Sequence, residues 1–453
     1  MSSALVLPPS MVVSAPSGSS RLPIVELSRA DVVAPRKQIR IRTGSKKRAA
    51  TDCSFGPFQD HLTVDAWPLF HAAKKTELTT TFNAADVSRR ALCFASENSG
   101  LFDWTTPDLR RVDRSVFALE DFAEAGLAGR FGEAIAYLTM IKWGYAYFDR
   151  ISVIWSRAAR HAGMTHAEQV RNARVLASRV GKTRPDLEPD FVFEKKSGDV
   201  ALMESKGSFV HPVNDDPSTK NDLRHALDQL AAWSAMITPT PAKSYAIGTY
   251  FRDQSDATGD PSLITFVDPP GDRDDEFSPV EVRPDWVRRG NYGSWLHAMG
   301  LPESGDALRT GREIALAERR LPVVAIGSRR YAVAIDGAVL KRNRRAPEPL
   351  LSFWIDSWMT SRSLRSVPPH FFSDLGVESF RVSGVELTTL KLVEESVVNS
   401  ASQSLMDQGT RTLASIDERQ SKGLTGSVFP DGTLYGLIAP EVLFDASLES
   451  FRL

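Results

Sequence analysis

Pro189-Asp190-Phe191-Val192-Phe193-Glu194-Lys195-Lys196-Ser197-Gly198-Asp199-Val200-Ala201-Leu202-Met203-Glu204-Ser205-Lys206 is the stretch on which the fold turns. Phe191, Val192 and Phe193 are strong strand formers, as are Val200, Leu202 and Met203 with their neighbours. Between the two runs lies a turn cluster, Lys196-Ser197-Gly198-Asp199, in which Gly198 can adopt positive φ. A turn centred near Ser197 and Gly198 sets Asp190 opposite the segment from Glu204 to Lys206. Glu204 and Lys206 are two apart and share one face of a strand, while Ser205 points to the other. The pairing predicts that Asp190, Glu204 and Lys206 converge. A slip of one residue in register would undo it.

Those residue types have a chemistry in common. Carboxylate oxygens are hard ligands for Mg2+, which typically takes one or two protein carboxylates together with waters and phosphate, and Mn2+ can replace it. The metal lowers the pKa of a bound water and stabilises charge on a phosphate. A lysine beside it orients the attacking water or neutralises the transition state. A bare Asp/Glu-x-Lys triplet is more often part of an ordinary exposed hairpin, so the neighbouring elements carry the decision.

Upstream, Gly129 to Trp143 reads as a helix with Phe131, Ile135, Leu138 and Ile141 in one stripe and Tyr137 and Met140 in a second. Glu133 is the lone carboxylate in that span, and an acid on a nearly apolar helix is costly unless it is paired or metal-bound. The alternative is a helix-start glutamate reaching solvent. Gly144 ends the helix, and Tyr145 to Phe148 reads as a strand that can run on to Ile154. A basic helical insert over His166 to Val180 follows, with Arg171, Arg174 and Arg179 as phosphate contacts or as a solvated face. Beyond Lys206, Ser218 is a plausible cap for a helix over Thr219 to Met236, with Leu223, Leu227, Leu230 and Ser234 facing one way and His225, Gln229 and Trp233 another. Lys243 to Phe251 and Leu263 to Val267 read as strands, completing a mixed sheet flanked by helices.

Pro189-Asp190 followed by Glu204-Ser205-Lys206 resembles the PD-(D/E)xK nuclease superfamily, whose restriction-endonuclease-like core runs helix, strand, hairpin, helix, strand. The resemblance covers about residues 126 to 270. It implies an α/β fold and a metal-dependent deoxyribonuclease. Asp190 and Glu204 would then ligate the metal, with Glu133 adding a ligand directly or through water, and Lys206 would serve the attacking water. Gln229-Leu230-Ala231-Ala232-Trp233 is similar to the Q-x-x-x-Y element of the RecB-like branch, with Trp233 where that branch has tyrosine, and gives Gln229 an assisting role. A second pair, Pro185-Asp186, stands four residues ahead of Pro189-Asp190, and Glu188 is a further acid. Asp190 is preferred because it abuts the strand. The resemblance also implies a bacterial setting of DNA processing or defence against foreign DNA.

The 453 residues are enough for two or three domains, and 55 basic residues balance 56 acidic ones, so global charge does not announce a nucleic-acid partner. No run approaches about 18 apolar residues, so no membrane helix is expected. The N-terminus lacks a signal-peptide pattern, and two cysteines, Cys53 and Cys93, fit a reducing cytoplasm and cannot form a zinc site by themselves. No phosphate-binding glycine loop is evident. Residues 1–50 read as a disordered arm with a basic run from Arg36 to Arg42 and at Lys46 to Arg48, suited to tracking a phosphate backbone or to solubilising the chain. Residues 51–125, with strand-like Glu77 to Phe82 and helical Arg114 to Glu124, read as a cap or recognition subdomain.

From 271 to 310 the chain reads as loop-rich, and 271–453 as an α+β domain of unknown role. Val323 to Ile326 and Tyr331 to Ile335 flank Gly327-Ser328-Arg329-Arg330 as a hairpin, and Ala338 to Lys341 is a third run. Helices are expected at Pro349 to Met359 and near Asp417 to Lys422, and Ser427 to Leu437 around Pro430-Asp431-Gly432 reads as another hairpin. Arg329, Arg330, Arg342, Arg344 and Arg345 make a basic cluster for target recognition, partner docking or a solvated face. The expected partner is DNA, with a homodimer or a partner subunit for double-strand cutting. An inactive scaffold of the same fold is the second reading. A two-carboxylate glycosidase fits poorly with a lysine two residues from Glu204.

Overall fold

The computed structural model describes residues 18–27, 32, 60–78, 100–112, 121–165, 167–168, 171, 189–210, 219–234, 237–256, 261–268, 280–340, 372, 376–399, 402–409, 412–416 and 421–453. They form two compact units, one within Gly18–Val64 and Gly100–Val287, the other within Asp65–Ser99 and Arg288–Leu453. The chain is mixed α/β. Its division does not follow the sequence boundaries at 50, 125 and 270. Residues 60–64 and 100–112 lie in the same unit as the hairpin, where Phe102 packs edge-on to Phe131 with centroids 4.8 Å apart.

The first unit is built on a seven-stranded mixed sheet. Its elements in chain order are β1 (Ser19–Glu26), β2 (Asp60–Asp65), α1 (Asp121–Lys142), β3 (Tyr145–Arg150), α2 (Ile151–His161), β4 (Phe191–Lys195), β5 (Val200–Val210), α3 (Thr219–Ser234), β6 (Lys243–Arg252) and β7 (Leu263–Val267). The strand order is β2-β1-β7-β6-β5-β4-β3. Strands β3, β4 and β5 are antiparallel neighbours. Strand β6 then runs parallel to β5, with Glu204 opposite Ala246, and α3 supplies the crossover that a parallel pair requires. Both α1 and α3 pack on β5 and β6. On α1, Phe131, Ala134, Ile135, Tyr137, Leu138 and Met140 are all buried. The helix lies so close to β5 that a Cβ on Gly132 would come within 2.6 Å of Gly207 Cα, and one on Gly207 within 2.7 Å of the Ala128 carbonyl carbon. Glycine at both positions is what allows the helix to seat beside Lys206.

Two expectations are corrected here. Strand β3 stops at Arg150 and does not run to Ile154, because Ile151, Ile154, Trp155, Ala158 and Ala159 are buried at helical spacing along α2. Ser19–Glu26, inside the span read as a disordered arm, is a strand parallel to β7 with Ile24 opposite Ile264. Its apolar run is too short to show a period alone and gains order from its partner strand. The basic run Arg36 to Arg48, most of the insert from 166 to 180, Asp186, Glu188, Ser218, Cys53 and Cys93 lie outside the described residues.

The second unit carries a seven-stranded antiparallel sheet in the order Ala414–Ile416, Leu424–Val428, Thr433–Ile438, Val377–Glu386, Arg329–Leu340, Glu318–Ile326, Ser447–Arg452. Both expected hairpins form. Ile326 pairs with Arg329 across Gly327 and Ser328, and Val428 pairs with Leu434 with Gly432 at φ 83°. Of the run read from Ala338 to Lys341, residues 338–340 are not separate, since Arg329–Leu340 is one strand that bulges between Ile335 and Gly337, and Lys341 lies outside the described residues. Glu77 ends a helix, Ala66–Glu77, rather than opening a strand. The stretch read as loop-rich contains helices Trp286–Ala298 and Pro302–Thr310. Gly290, Asn291 and Gly293 weaken local helix propensity there, and burial of Arg288, Arg289, Tyr292 and Trp295 overrides it. Residues 349–359, 342, 344 and 345 and most of 417–422 lie outside the described residues.

The core of this unit gathers Val333, Phe372, Phe380, Val382, Leu424, Leu434, Ile438 and Leu443. Beside it runs a buried polar network. Lys75 is ion-paired to Asp431 and donates to Asn291 Oδ1 at 3.0 Å, and Lys74 donates to Ser383 Oγ at 2.6 Å. His71 Nδ1 lies 2.9 Å from Ser427 Oγ, with its ring stacked on Phe429. Burial and the two lysines hold the imidazole well below its usual pKa.

Candidate active site

The pairing of β4 with β5 sets the geometry of the site. Phe191 stands opposite Met203, Val192 opposite Leu202 and Phe193 opposite Ala201, so Asp190 enters the hairpin where Glu204 leaves it. Gly198 takes φ 91° in the turn, and its N–H donates to the Lys195 carbonyl at 3.0 Å. The pairing centres the turn on Ser197 and runs Asp190 on to Glu204, within the expected segment from Glu204 to Lys206.

Asp190 and Glu204 are then anchored crosswise. The Asp190 backbone N–H donates to Glu204 Oε2 at 2.9 Å. Asp190 Oδ2 accepts from the Ser205 N–H at 2.9 Å and from Ser205 Oγ at 2.7 Å. Each acid therefore rests on the other strand, which fixes both carboxylates before any ligand arrives. Ser205, read as pointing away from the site, is one of these anchors. Both its N–H and its hydroxyl reach Asp190 at the bend before β4, and strand alternation does not reveal it.

Lys206 lies between two acceptors. Its Nζ is ion-paired to Glu204 Oε1 and donates to Gln229 Oε1 at 3.1 Å. Gln229 comes from α3 and is only 8% exposed, which excludes a solvated surface glutamine. Trp233, one turn on, packs edge-on against Trp155 with centroids 5.7 Å apart and belongs to the core. Glu204 is the most secluded acid of the group, with its side chain 2% exposed. Burial raises its pKa to about 8, helped by the charge of Asp190 and opposed by Lys206.

Glu133 projects from α1 to the same region through Arg150, which the sequence reading leaves out. Arg150 Nη2 lies 3.0 Å from Glu133 Oε2, and Nη1 lies 3.6 Å from Asp190 Oδ1. Its guanidinium carbon sits 4.4 Å from the centroid of the Phe191 ring. The one signal in the sequence is an arginine that, with Asp149, closes the aromatic-rich run Tyr145 to Phe148. Asp190, Glu204, Lys206 and Gln229 are thus joined by direct contacts, and Glu133 joins them by way of Arg150.

The donor set suits a hard divalent cation. Two carboxylates, one of them with its pKa raised by seclusion and by its neighbour, gain from a cation that holds both ionised. Among the described residues no three or more His, Cys, Asp or Glu side chains form a ready cage. Mg2+ held by one or two carboxylates with water and phosphate does not require one. No protein family, curated protein or solved structure compared with the chain matches it. No helix among the described residues is long and apolar enough to cross a membrane.

Proposed function

We propose that the chain is a metal-dependent nuclease of the PD-(D/E)xK kind, with a restriction-endonuclease-like core in its first unit. The observation that carries the reading is the convergence of Asp190, Glu204 and Lys206 at the open end of one hairpin, with Gln229 bonded to the lysine. The element order α1, β3, β4–β5, α3, β6, with α2 inserted between β3 and β4, supports it, since apart from that insertion it runs helix, strand, hairpin, helix, strand.

Asp190 and Glu204 would hold Mg2+ or Mn2+, with Glu133 at the rim supplying an outer ligand or a water contact. When bound, the cation supplies Lewis-acid stabilisation of phosphate charge and a more acidic water. The chain's own residues do the positioning. Ser205 and the Asp190 N–H lock the carboxylates in place. Lys206 Nζ, steered by Gln229, presents a cation to the attacking water or to the developing phosphate charge. Its contact with Glu204 also favours the ionised form of that acid.

We assign DNA as the substrate, in a cytoplasmic setting of bacterial DNA processing or defence against foreign DNA, with a second copy or a partner subunit where both strands are cut. A gel assay with linear, circular and single-stranded DNA in Mg2+ tests this. Divalent-dependent loss of at least one substrate is expected, and none would reject the assignment.

A second reading, an inactive scaffold, has one observation in its favour: every polar side chain of the site already has a partner within the chain. Melting curves separate the two. Stabilisation by Mn2+ that vanishes in Asp190→Ala supports the nuclease, and no Mn2+ dependence supports the scaffold.

A further inference from the structure

Arg150 sits at the junction of β3 and α2, where the strand ends in extended backbone and the helix begins at once. Its guanidinium faces two acids from different elements, Glu133 on α1 and Asp190 at the mouth of the hairpin. The two contacts differ. The one to Glu133, at 3.0 Å, has hydrogen-bond length, whereas the one to Asp190, at 3.6 Å, is an ion pair beyond it. All three side chains are part-exposed, at 24%, 23% and 21% for Arg150, Glu133 and Asp190. A solvated cation can therefore reach and compete for Asp190. Lys206 is engaged by Glu204 and Gln229, and Arg150 is the cation that the described ion pairs place between Glu133 and Asp190.

We propose that Arg150 is a built-in stand-in for the metal, which exchanges Asp190 for the substrate phosphate when a divalent ion binds. This rests on the nuclease reading above. In the metal-free chain, Arg150 offsets the repulsion between Glu133 and Asp190. A dication on Asp190 and Glu204 competes for the same carboxylate and repels the guanidinium, and the loose Asp190 contact is the one that yields. The guanidinium does not leave the site, because its bond to Glu133 and its place over the Phe191 ring keep it there. Released from Asp190, its planar guanidinium suits a phosphate oxygen pair arriving with the metal. Arg150 is then a positioning residue that weakens metal binding in the resting protein and strengthens binding of the metal-loaded protein to DNA. No bond is made or broken in the exchange.

The test uses the full chain and two readouts other than cleavage. Mn2+ binding is titrated calorimetrically for wild type, Arg150→Gln and Arg150→Lys. The glutamine variant is expected to bind Mn2+ roughly fivefold tighter or more, the low end of coupling between two sites. The lysine variant, which keeps the charge and lacks the fork, should fall between. Binding of a short DNA duplex is then measured in Ca2+ and in EDTA. Arg150→Gln should weaken it several-fold in Ca2+ and leave it unchanged in EDTA. Mn2+ affinity that is equal or weaker in Arg150→Gln overturns the exchange and leaves the nuclease standing, as does an equal loss of DNA binding with and without Ca2+. Absence of Mn2+ binding in all three proteins overturns the metal-dependent reading and the exchange together. If Arg150→Gln does not fold, the comparison of Arg150→Lys with wild type decides by the same criteria.

Discussion

Glu204 makes the stability of the metal-free protein depend on pH in a direction opposite to that of an ordinary salt-bridged acid. Its pKa rises from 4.5 to about 8, mainly because the carboxyl is buried. At about 1.4 kcal/mol per pH unit, holding it ionised in the folded chain costs up to about 5 kcal/mol. The folded protein keeps the proton up to about pH 8, whereas the unfolded chain releases it near 4.5. Between those values the folded state binds more protons, so stability falls as pH rises. Glu204→Gln removes the titration. Urea unfolding of wild type and variant from pH 4 to 9 isolates the effect, because groups remote from the site, the buried His71 among them, cancel in the difference. The stability difference should be near zero at pH 4, move in favour of the variant through pH 5 to 8, and level off above 8. Saturating Mg2+ should shrink it for wild type alone, since the cation favours the ionised acid. A difference that does not change with pH, or a variant less stable than wild type at pH 8, would refute the reasoning.

Two further substitutions test the packing around the site and the second unit. Gly207→Ala forces a methyl group against the backbone of α1 and should cost at least about 1–3 kcal/mol in urea unfolding, with a loss of cleavage as Lys206 shifts; unchanged stability would mean that the helix does not approach as described. Lys75→Ala leaves the Asp431 carboxylate buried without its ion pair and should cost about 3–5 kcal/mol. Lys75→Met paired with Asp431→Leu should recover much of that loss in the same unfolding measurement.

The core of the site is legible in the sequence because its information is local. The apolar runs on either side of Gly198 specify both the strands and their register, and register alone brings Asp190 to Glu204. Glu133 is legible as the lone carboxylate of a nearly apolar helical stretch, and Gln229 through the resemblance of Gln229 to Trp233 to a Q-x-x-x-Y element. Arg150 is not, because its importance depends on where β3 gives way to α2, and both a longer strand and a new helix satisfy the apolar residues after it. Strand β1 is hidden for a different reason. Leu22, Ile24 and Val25 are buried by a partner strand far along the chain, and nothing near them marks the pairing. The helix Trp286–Ala298 runs against its own propensities and forms because its arginines and aromatic rings are buried. Long-range burial accounts for each of these, and local pattern accounts for the hairpin.

The central claim is that Asp190, Glu204 and Lys206 form a centre for cutting DNA, and plasmid cleavage in Mg2+ by wild type and Lys206→Ala tests it most directly. Supercoiled plasmid should be nicked or linearised by wild type, and Lys206→Ala should be slower by about a hundredfold or more, the effect expected when a transition-state cation is removed. Equal cleavage by both proteins would contradict the assigned centre.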